Sequence, residues 1–296
     1  VSRRSRRRHH DDEDASLALY DATARDAAAR VIARYSTSFG LGTRILPRAE
    51  RAHIRAVYAM VRVADEIVDT YRGDDAADQL ARFEAEVHRA MDAGFSSDLV
   101  AHAFALTARE VGITREQTEP FFASMRMDLT ETVHDDASLA RYIFGSAEVV
   151  GEMCLAVFVN TGHGPRPLAP DVRAGARRLG AAYQKVNFLR DLATDDGDLG
   201  RSYFPGVTAA TLDDARLAEL VAECRADIEA AEQTLDALPT RARAAVGTTI
   251  DIYGRLLDQI AATPARNLVT RRVRVPNPVK ATLAARNLAS MRRRTA

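Results

Sequence analysis

The chain has 296 residues, 47% of them apolar and 6% aromatic, which is enough material for a substantial hydrophobic core. Its 41 basic and 41 acidic side chains cancel, so no global field marks a nucleic-acid binder, and any polyanion site must be local. The two cysteines, Cys154 and Cys224, lack a CxxC partner and the seven histidines show no ligand spacing, so neither a disulfide framework nor a zinc site is expected.

Residues 1–15 set a basic block (Arg3 to Arg8) beside an acidic one (Asp11 to Asp14). They read as a disordered charged tail without the apolar core of a secretion signal. From Ser16 onward the pattern is helical and rich in Ala, Leu, Arg and Glu, with Gly or Pro as punctuation and no alternating strand. A first helix is expected from Ser16 to Arg34, then a hydroxyl-rich break at Tyr35, Ser36, Thr37, Ser38, Phe39 and Gly40. Pro47 opens a long helix reaching Tyr71, with Gly73 as its stop. Its apolar phase (Ile54, Tyr58, Val61, Val68) includes Asp65, with Arg62 and Asp69 on the edge of the same face.

Further helices are expected over Asp75 to Ala93, Ser97 to Val111 and Thr114 to Glu131; the last carries Met125 and Met127, read as core packing. Leu139 to Asn160 reads as a strongly apolar helix whose small residues (Gly145, Ser146, Ala147, Gly151) permit close packing or leave room for a long apolar ligand. A Pro-rich loop at Gly162 to Pro170 leads to the helix bearing Gln184 to Asp195, QKVNFLRDLATD. Gln184, Asn187, Asp191 and Asp195 follow at spacings of three, four and four and stack on one face, flanked by Phe188, Leu192, Leu179 and Val186. After a loop in which Arg201 and Tyr203 are placed to close over a site, helices over Thr211 to Ala237, Arg241 to Ala262 and Val279 to Arg294 complete the chain. With no fixed-period repeat and no linker, residues 16–296 read as a single all-α domain. The longest apolar runs, such as Met153 to Val159, fall short of the roughly 20 residues that span a bilayer.

Carboxylates on inward helix faces are costly unless something positive meets them. If Asp65 and Asp69 face Asp191 and Asp195, the space between them, with Asn187, calls for cations, and hard oxygen ligands of this kind suit Mg2+, which keeps waters and phosphate oxygens in its shell. Arg62 and Arg190 beside the two pairs are what a bound diphosphate requires. The implied chemistry is loss of diphosphate inside an apolar helical interior that shields a carbocation from water.

Together YSTSF, VYAMVRVADEIVD and QKVNFLRDLATD resemble the squalene and phytoene synthases, head-to-head trans-prenyl transferases, over Tyr35 to the C-terminal end. SMRMDLT, YIFGSAEVVG and RRVRVP look most like the bacterial phytoene synthases. The resemblance implies an isoprenoid synthase type helical bundle around a central active-site cavity. It also implies dependence on Mg2+, with Mn2+ as a substitute and no nicotinamide, and condensation of two geranylgeranyl diphosphates to phytoene through a cyclopropyl diphosphate, in carotenoid biosynthesis. Carried over residue by residue, it implies that Asp65, Asp69, Asn187, Asp191 and Asp195 hold the metal. Tyr35, Ser36, Thr37, Ser38, Tyr58, Arg62, Gln184, Arg190 and Tyr253 would contact diphosphate or line its pocket, and Phe39 and Tyr142 would border the cation. Two departures touch this assignment: Glu148 stands where relatives often carry glycine, and the Asp195–Tyr203 loop is one residue longer than in some relatives.

Two other readings stand beside it: a C30 squalene or dehydrosqualene synthase using farnesyl diphosphate, and a non-catalytic assembly factor with little reason to keep both acidic pairs and their arginines. The expected partners are a prenyl diphosphate and, for release of an insoluble hydrocarbon, the membrane surface, met through Arg3 to Arg8 and Arg292 to Arg294. The expected location is the cytoplasm, peripheral at the inner face of the membrane, and nothing in the sequence sets an oligomeric state.

Overall fold

The computed structural model describes the backbone of residues 3–36, 38–197 and 201–295, and their side chains except those of 3–13, 38, 193–197 and 292–295. Thr37, the side chains of Ser38 and Asp195, and those of the Arg3–Arg8 and Arg292–Arg294 clusters therefore lie outside the described residues. The elements are α1 (Arg3–Tyr35), α2 (Ser38–Thr43), α3 (Arg48–Asp69), α4 (Ala76–Ala93), α5 (Leu99–Val111), α6 (Arg115–Thr130), α7 (Asp136–Ile143), α8 (Val149–Asn160), α9 (Pro170–Gly197), α10 (Asp214–Glu232), α11 (Thr240–Ala261), α12 (Ala265–Leu268) and α13 (Asn277–Thr295). A π-helical turn, Phe144–Glu148, joins α7 to α8, and a 3-10 turn, Leu235–Ala237, follows α10. No strand occurs among the described residues; there is a single bridge, Val133 to Ser202.

Local chemistry explains most of the boundaries. The Asp98 carboxylate accepts from the amides of Val100 and Ala101 to start α5, and capping boxes at Thr114–Gln117 and Asp135–Ser138 start α6 and α7. Helices α4 and α5 end where Gly94 and Gly112 take the left-handed backbone, φ 77° and 81°, that closes the last turn.

The structure departs from the sequence-based expectation at several places, among them the expected Thr211–Ala237 helix, which is α10 followed by the 3-10 turn, and the unexpected short α12. Helix α1 already begins at Arg3, upstream of the expected start at Ser16. The hydroxyl-rich break contains a short helix, α2, started by Ser36 Oγ accepting from the Phe39 amide at 3.2 Å. Helix α3 stops at Asp69, a turn before Gly73. The expected Leu139–Asn160 helix is two helices joined by the π-turn. Here Gly145 lies against the carbonyl of Pro120 and Gly180 against that of Ala147, and a Cβ at either would collide with backbone. The continuous Asp136–Asn160 segment is long and apolar enough to cross a membrane, but more than half of its apolar stretch is buried inside the protein.

Two large cores flank a central space. One joins α3, α4, α5, α6 and α8 around Met60, Leu80, Phe104, Phe121, Phe122 and Met153. The other joins α7, α9, α10 and α11 around Val186, Leu189, Leu220, Leu257 and Ile260. Met125 sits in the first core and Met127 packs partly buried on the second, as their spacing predicts. Cys154 and Cys224 are free, and burial pushes both thiols up to about 12, so neither is a nucleophile.

Candidate active site

Between the two cores lies a cavity of about 290 Å3. Its walls come chiefly from α2, α3, α8, α9 and α11, with residues of α1, α10 and the π- and 3-10 turns, and are apolar along most of their length, among them Val57, Leu155, Phe158, Leu179, Leu238 and Val246. Along α9 it reaches from Val172 to Asn187, about 22 Å at the helical rise. Its polar lining includes Tyr58, Gln184, Asn187 and Tyr253. Gln184 and Asn187 thus face inward, as their phase on α9 predicts. Glu148 does not line the cavity, whereas its neighbours Ser146, Ala147 and Val150 do. Burial raises the Glu148 carboxyl above its ordinary value, with Arg177 and Arg178 opposing the rise, so the departure at this position leaves the wall intact.

An aromatic collar surrounds the polar end. Phe39 stands 6.3–6.4 Å from the rings of Tyr58, Tyr183 and Tyr253, and Tyr183 stacks on Tyr253 at 3.9 Å. The Tyr253 hydroxyl lies 3.3 Å from Asn187 Oδ1 and orients that amide. The collar joins the two acidic helices. Burial raises the Tyr58 hydroxyl above its ordinary value, with Asp65 adding to the rise and Arg62 and Ser36 opposing it. Burial also raises Tyr253, with Asp191 adding and Arg190 opposing. Tyr35 is exposed on the outer side, with the Arg62 guanidinium 4.4 Å above its ring.

Each described carboxylate of the two acidic pairs carries an arginine. Arg62 reaches Asp65 at 2.7 Å and also pairs with Glu66. Arg201 reaches Asp69 at 2.6 Å. Asp191 is held from two sides, by Arg190 (Nε to Oδ1, 2.9 Å) and by Arg272 (Nε to Oδ1, 2.6 Å). Burial, and then Asp69 one turn away, push the Asp65 carboxyl up to about 6 against the pull of Arg62 and Arg201.

A further acid, Asp128 on α6, lies beneath this array. Its carboxylate accepts from the Tyr142 hydroxyl at 3.0 Å and the Tyr203 hydroxyl at 3.4 Å, and lies 3.7 Å from Arg201. Tyr142 is therefore placed at Asp128, packed with Tyr203, His134 and Phe188, and is not among the residues lining the apolar cavity. The loop that carries Arg201 and Tyr203 is pinned by backbone bonds from Ser202 N to Thr132 O (2.7 Å) and from His134 N to Ser202 O (3.3 Å).

Burial pushes the Asp128 carboxyl up to about 7 from its ordinary 3.8, with Asp69 and Asp65 adding to the rise and Arg201 and Tyr142 opposing it. A carboxyl whose folded value is raised binds more protons in the native state. Its favourable contribution is full below the ordinary value and is lost as pH rises through the folded one. In chelator-containing buffer, the melting temperature of the wild type is therefore expected to fall relative to that of Asp128→Asn as pH rises from about 5 to about 8. A gap that stays constant across this range in scanning calorimetry would show Asp128 ionised throughout.

No group of three His, Cys, Asp or Glu side chains is arranged to hold a metal ion among the described residues. Asn187 lines the polar end, whereas Asp65, Asp69 and Asp191 do not line the cavity, and Asp65 and Asp191 reach its collar through the fields they exert on Tyr58 and Tyr253. The side chains that would hold a cation here, Asp65 and Asp69 on one helix and Asn187 and Asp191 on the other, offer oxygen. Burial first, and then Asp69, disfavour ionisation of Asp65 against the pull of Arg62 and Arg201. This set fits a hard divalent cation. Asp128 and Arg272 had no place in the sequence-derived site. Asp128 follows Phe121 and Met125 on the buried face of α6, which was the available signal, whereas Arg272 lies in an irregular segment with no periodicity to read.

The sequence profile of the squalene/phytoene synthase family matches residues 32–278. The chain is 31% identical over 275 residues to the 15-cis-phytoene synthase of Synechocystis sp., covering 85% of this chain and 80% of that protein. It is 31% identical over 273 residues to the phytoene synthase of Mycobacterium tuberculosis, covering 86% of each. Among solved structures, a dehydrosqualene synthase superposes with a TM-score of 0.76 at 20% identity over 92% of this chain and 98% of the other. The squalene synthase HpnC from Alicyclobacillus acidocaldarius superposes with a TM-score of 0.73 at 21% identity, over 83% and 97%. These two likenesses bear on the fold, which they share with this chain.

Proposed function

Given that the chain belongs to the squalene/phytoene synthase family, we propose that it condenses two geranylgeranyl diphosphates head to head into the C40 hydrocarbon phytoene, without a nicotinamide. The observation that carries this reading is the long apolar cavity with its polar end at Tyr58, Gln184, Asn187 and Tyr253, beside the acidic pairs and their arginines. Such a space accepts an apolar chain along α9 and leaves a diphosphate among guanidinium groups.

Mg2+, or Mn2+ in its place, would be held by Asp65, Asp69, Asn187 and Asp191, with Asp195 a further candidate, and would supply the charge that stabilises the departing diphosphate. The protein does the rest. Arg62, Arg190, Arg201 and Arg272 offer planar donors to the diphosphate oxygens, and the Tyr253 hydroxyl fixes the Asn187 amide. The faces of Phe39, Tyr58, Tyr183 and Tyr253 favour positive charge developing on the allylic carbon. The apolar walls exclude the water that would quench the cation before the second chain adds to it through the cyclopropyl diphosphate. The product has no polar group, so we also place its release at a membrane surface.

The test is an incubation of the pure protein with farnesyl and geranylgeranyl diphosphate in separate arms, Mg2+ present and nicotinamide absent, with the extracted hydrocarbon read by mass. A C40 product from the geranylgeranyl arm is the expected result. A C30 product alone would make it a dehydrosqualene-type synthase, a C30 product that forms only when NADPH is added would make it a squalene synthase, and no product in either arm with or without NADPH would count for a non-catalytic protein.

A further inference from the structure

Among the guanidinium groups at the site, Arg201 differs in how it is held. Its side chain is 8% exposed and divides between two helices. Nη1 lies 2.6 Å from Asp69 Oδ1 on α3, while Nη2 donates to the backbone carbonyl of Asp128 on α6 at 2.9 Å. The Asp128 carboxylate lies 3.7 Å from Nη1, is itself only 4% exposed, and accepts from Tyr142 and Tyr203. The Arg201 backbone is fixed next door, since Ser202 pairs with Thr132 and His134. Arg62, by contrast, pairs within its own helix, with Asp65 and Glu66 three and four residues on.

Resting on the function proposed above, the geometry points to Arg201 as an exchangeable counter-cation: it neutralises Asp69 in the ligand-free protein and, still anchored on Asp128, turns to the diphosphate when a divalent cation takes Asp69. A full departure of Arg201 would leave Asp128 as a buried carboxylate without its guanidinium, which is costly, so the Asp128 end is retained and the Asp69 end is exchanged. A diphosphate oxygen is a suitable new acceptor, because a guanidinium binds phosphate with paired, charge-assisted bonds. Arg201 is then a diphosphate-binding residue and Asp128 a positioning residue that acts through it. Ligand-free protein would bind the cation weakly, because Arg201 competes for Asp69, and would bind cation and diphosphate together far better.

Titration calorimetry on the full chain tests this with two probes, MgCl2 alone and MgCl2 with inorganic diphosphate. Arg201→Gln is expected to bind Mg2+ alone about fivefold more tightly, the scale of a partly exposed ion pair removed as competitor. The same variant is expected to bind diphosphate in the presence of Mg2+ roughly tenfold more weakly. The opposite signs are the signature, since a merely structural role would weaken both. Asp128→Asn, which keeps Arg201 but leaves Asp69 as the carboxylate that holds it, should weaken Mg2+ alone, opposite to Arg201→Gln, and weaken diphosphate like it, whereas Arg201→Lys should leave Mg2+ binding near wild type while weakening diphosphate.

Equal or parallel changes in the two affinities for Arg201→Gln would overturn the exchange. If that variant does not fold, wild-type diphosphate affinity in Arg201→Lys overturns it instead. Wild-type protein that binds no diphosphate with Mg2+ would bring down the synthase reading itself, and this inference with it. Wild-type protein that binds while the variants behave as wild type removes only the role of Arg201.

Discussion

Asp65→Asn and Asp191→Asn are each expected to lose about a thousandfold in turnover, the scale at which one preorganised charge at a departing anion is worth 3–4 kcal/mol. Asp65→Asn should not lower the melting temperature of the ligand-free protein at neutral pH. Burial and Asp69 already disfavour the ionised Asp65 carboxylate, so a neutral amide relieves a repulsion at the expense of a bond to Arg62. Steady-state assays paired with thermal melts check both halves. Activity and stability falling together would make Asp65 a structural residue and remove it from the site.

The second large effect concerns chain length. Ala176 lines the cavity on α9 between Val172 and Leu179, so an Ala176→Phe side chain would enter the space an apolar chain needs. A buried methylene is worth about 0.8 kcal/mol, so pushing one five-carbon unit out of the cavity forfeits roughly 4 kcal/mol. With geranylgeranyl diphosphate, kcat/KM is expected to fall a hundredfold or more, and the farnesyl arm should fall much less. Kinetics run on both substrates decide it. An equal loss on both would mean that the ring disturbs the polar end or the α8–α9 packing, where Gly151 already lies against the Ala176 carbonyl.

Helical periodicity carries most of this architecture because each helix keeps one apolar face, and the phase that turned Gln184 and Asn187 inward on α9 was readable from spacing alone. The Asp65–Asp69 pair was legible for the same reason. The sequence did not disclose what meets those acids in the folded chain. Arg201 reaches Asp69 from 132 positions away and Arg272 reaches Asp191 from 81 positions away, both from irregular segments where no period links sequence to direction. Tyr142 was expected to border the cation; that its hydroxyl goes to Asp128 was not legible, because α7 and α6 bring together two residues whose separate patterns say nothing of each other. The π-turn was also invisible, since its residues Phe144 to Glu148 are ordinary in a helix and only contacts with Pro120 and with α9 select the wider turn.

That turn works as a phase shifter. Each residue of a regular helix advances the direction of its neighbours by about 100°, and a wide turn holds one more residue than a regular one would. Upstream of Phe144 the chain aims Tyr142 at Asp128, and downstream it aims Val150 and Cys154 into the cavity. Were the segment to keep every residue and close into one regular helix, the half beyond Glu148 would turn against the half before Phe144, and the acid-binding tyrosine and the cavity wall could not both face their targets. Deleting one residue between Phe144 and Glu148 removes the residue in excess and keeps the two halves nearly in phase, so a one-residue deletion should be tolerated far better here than elsewhere in the same helix.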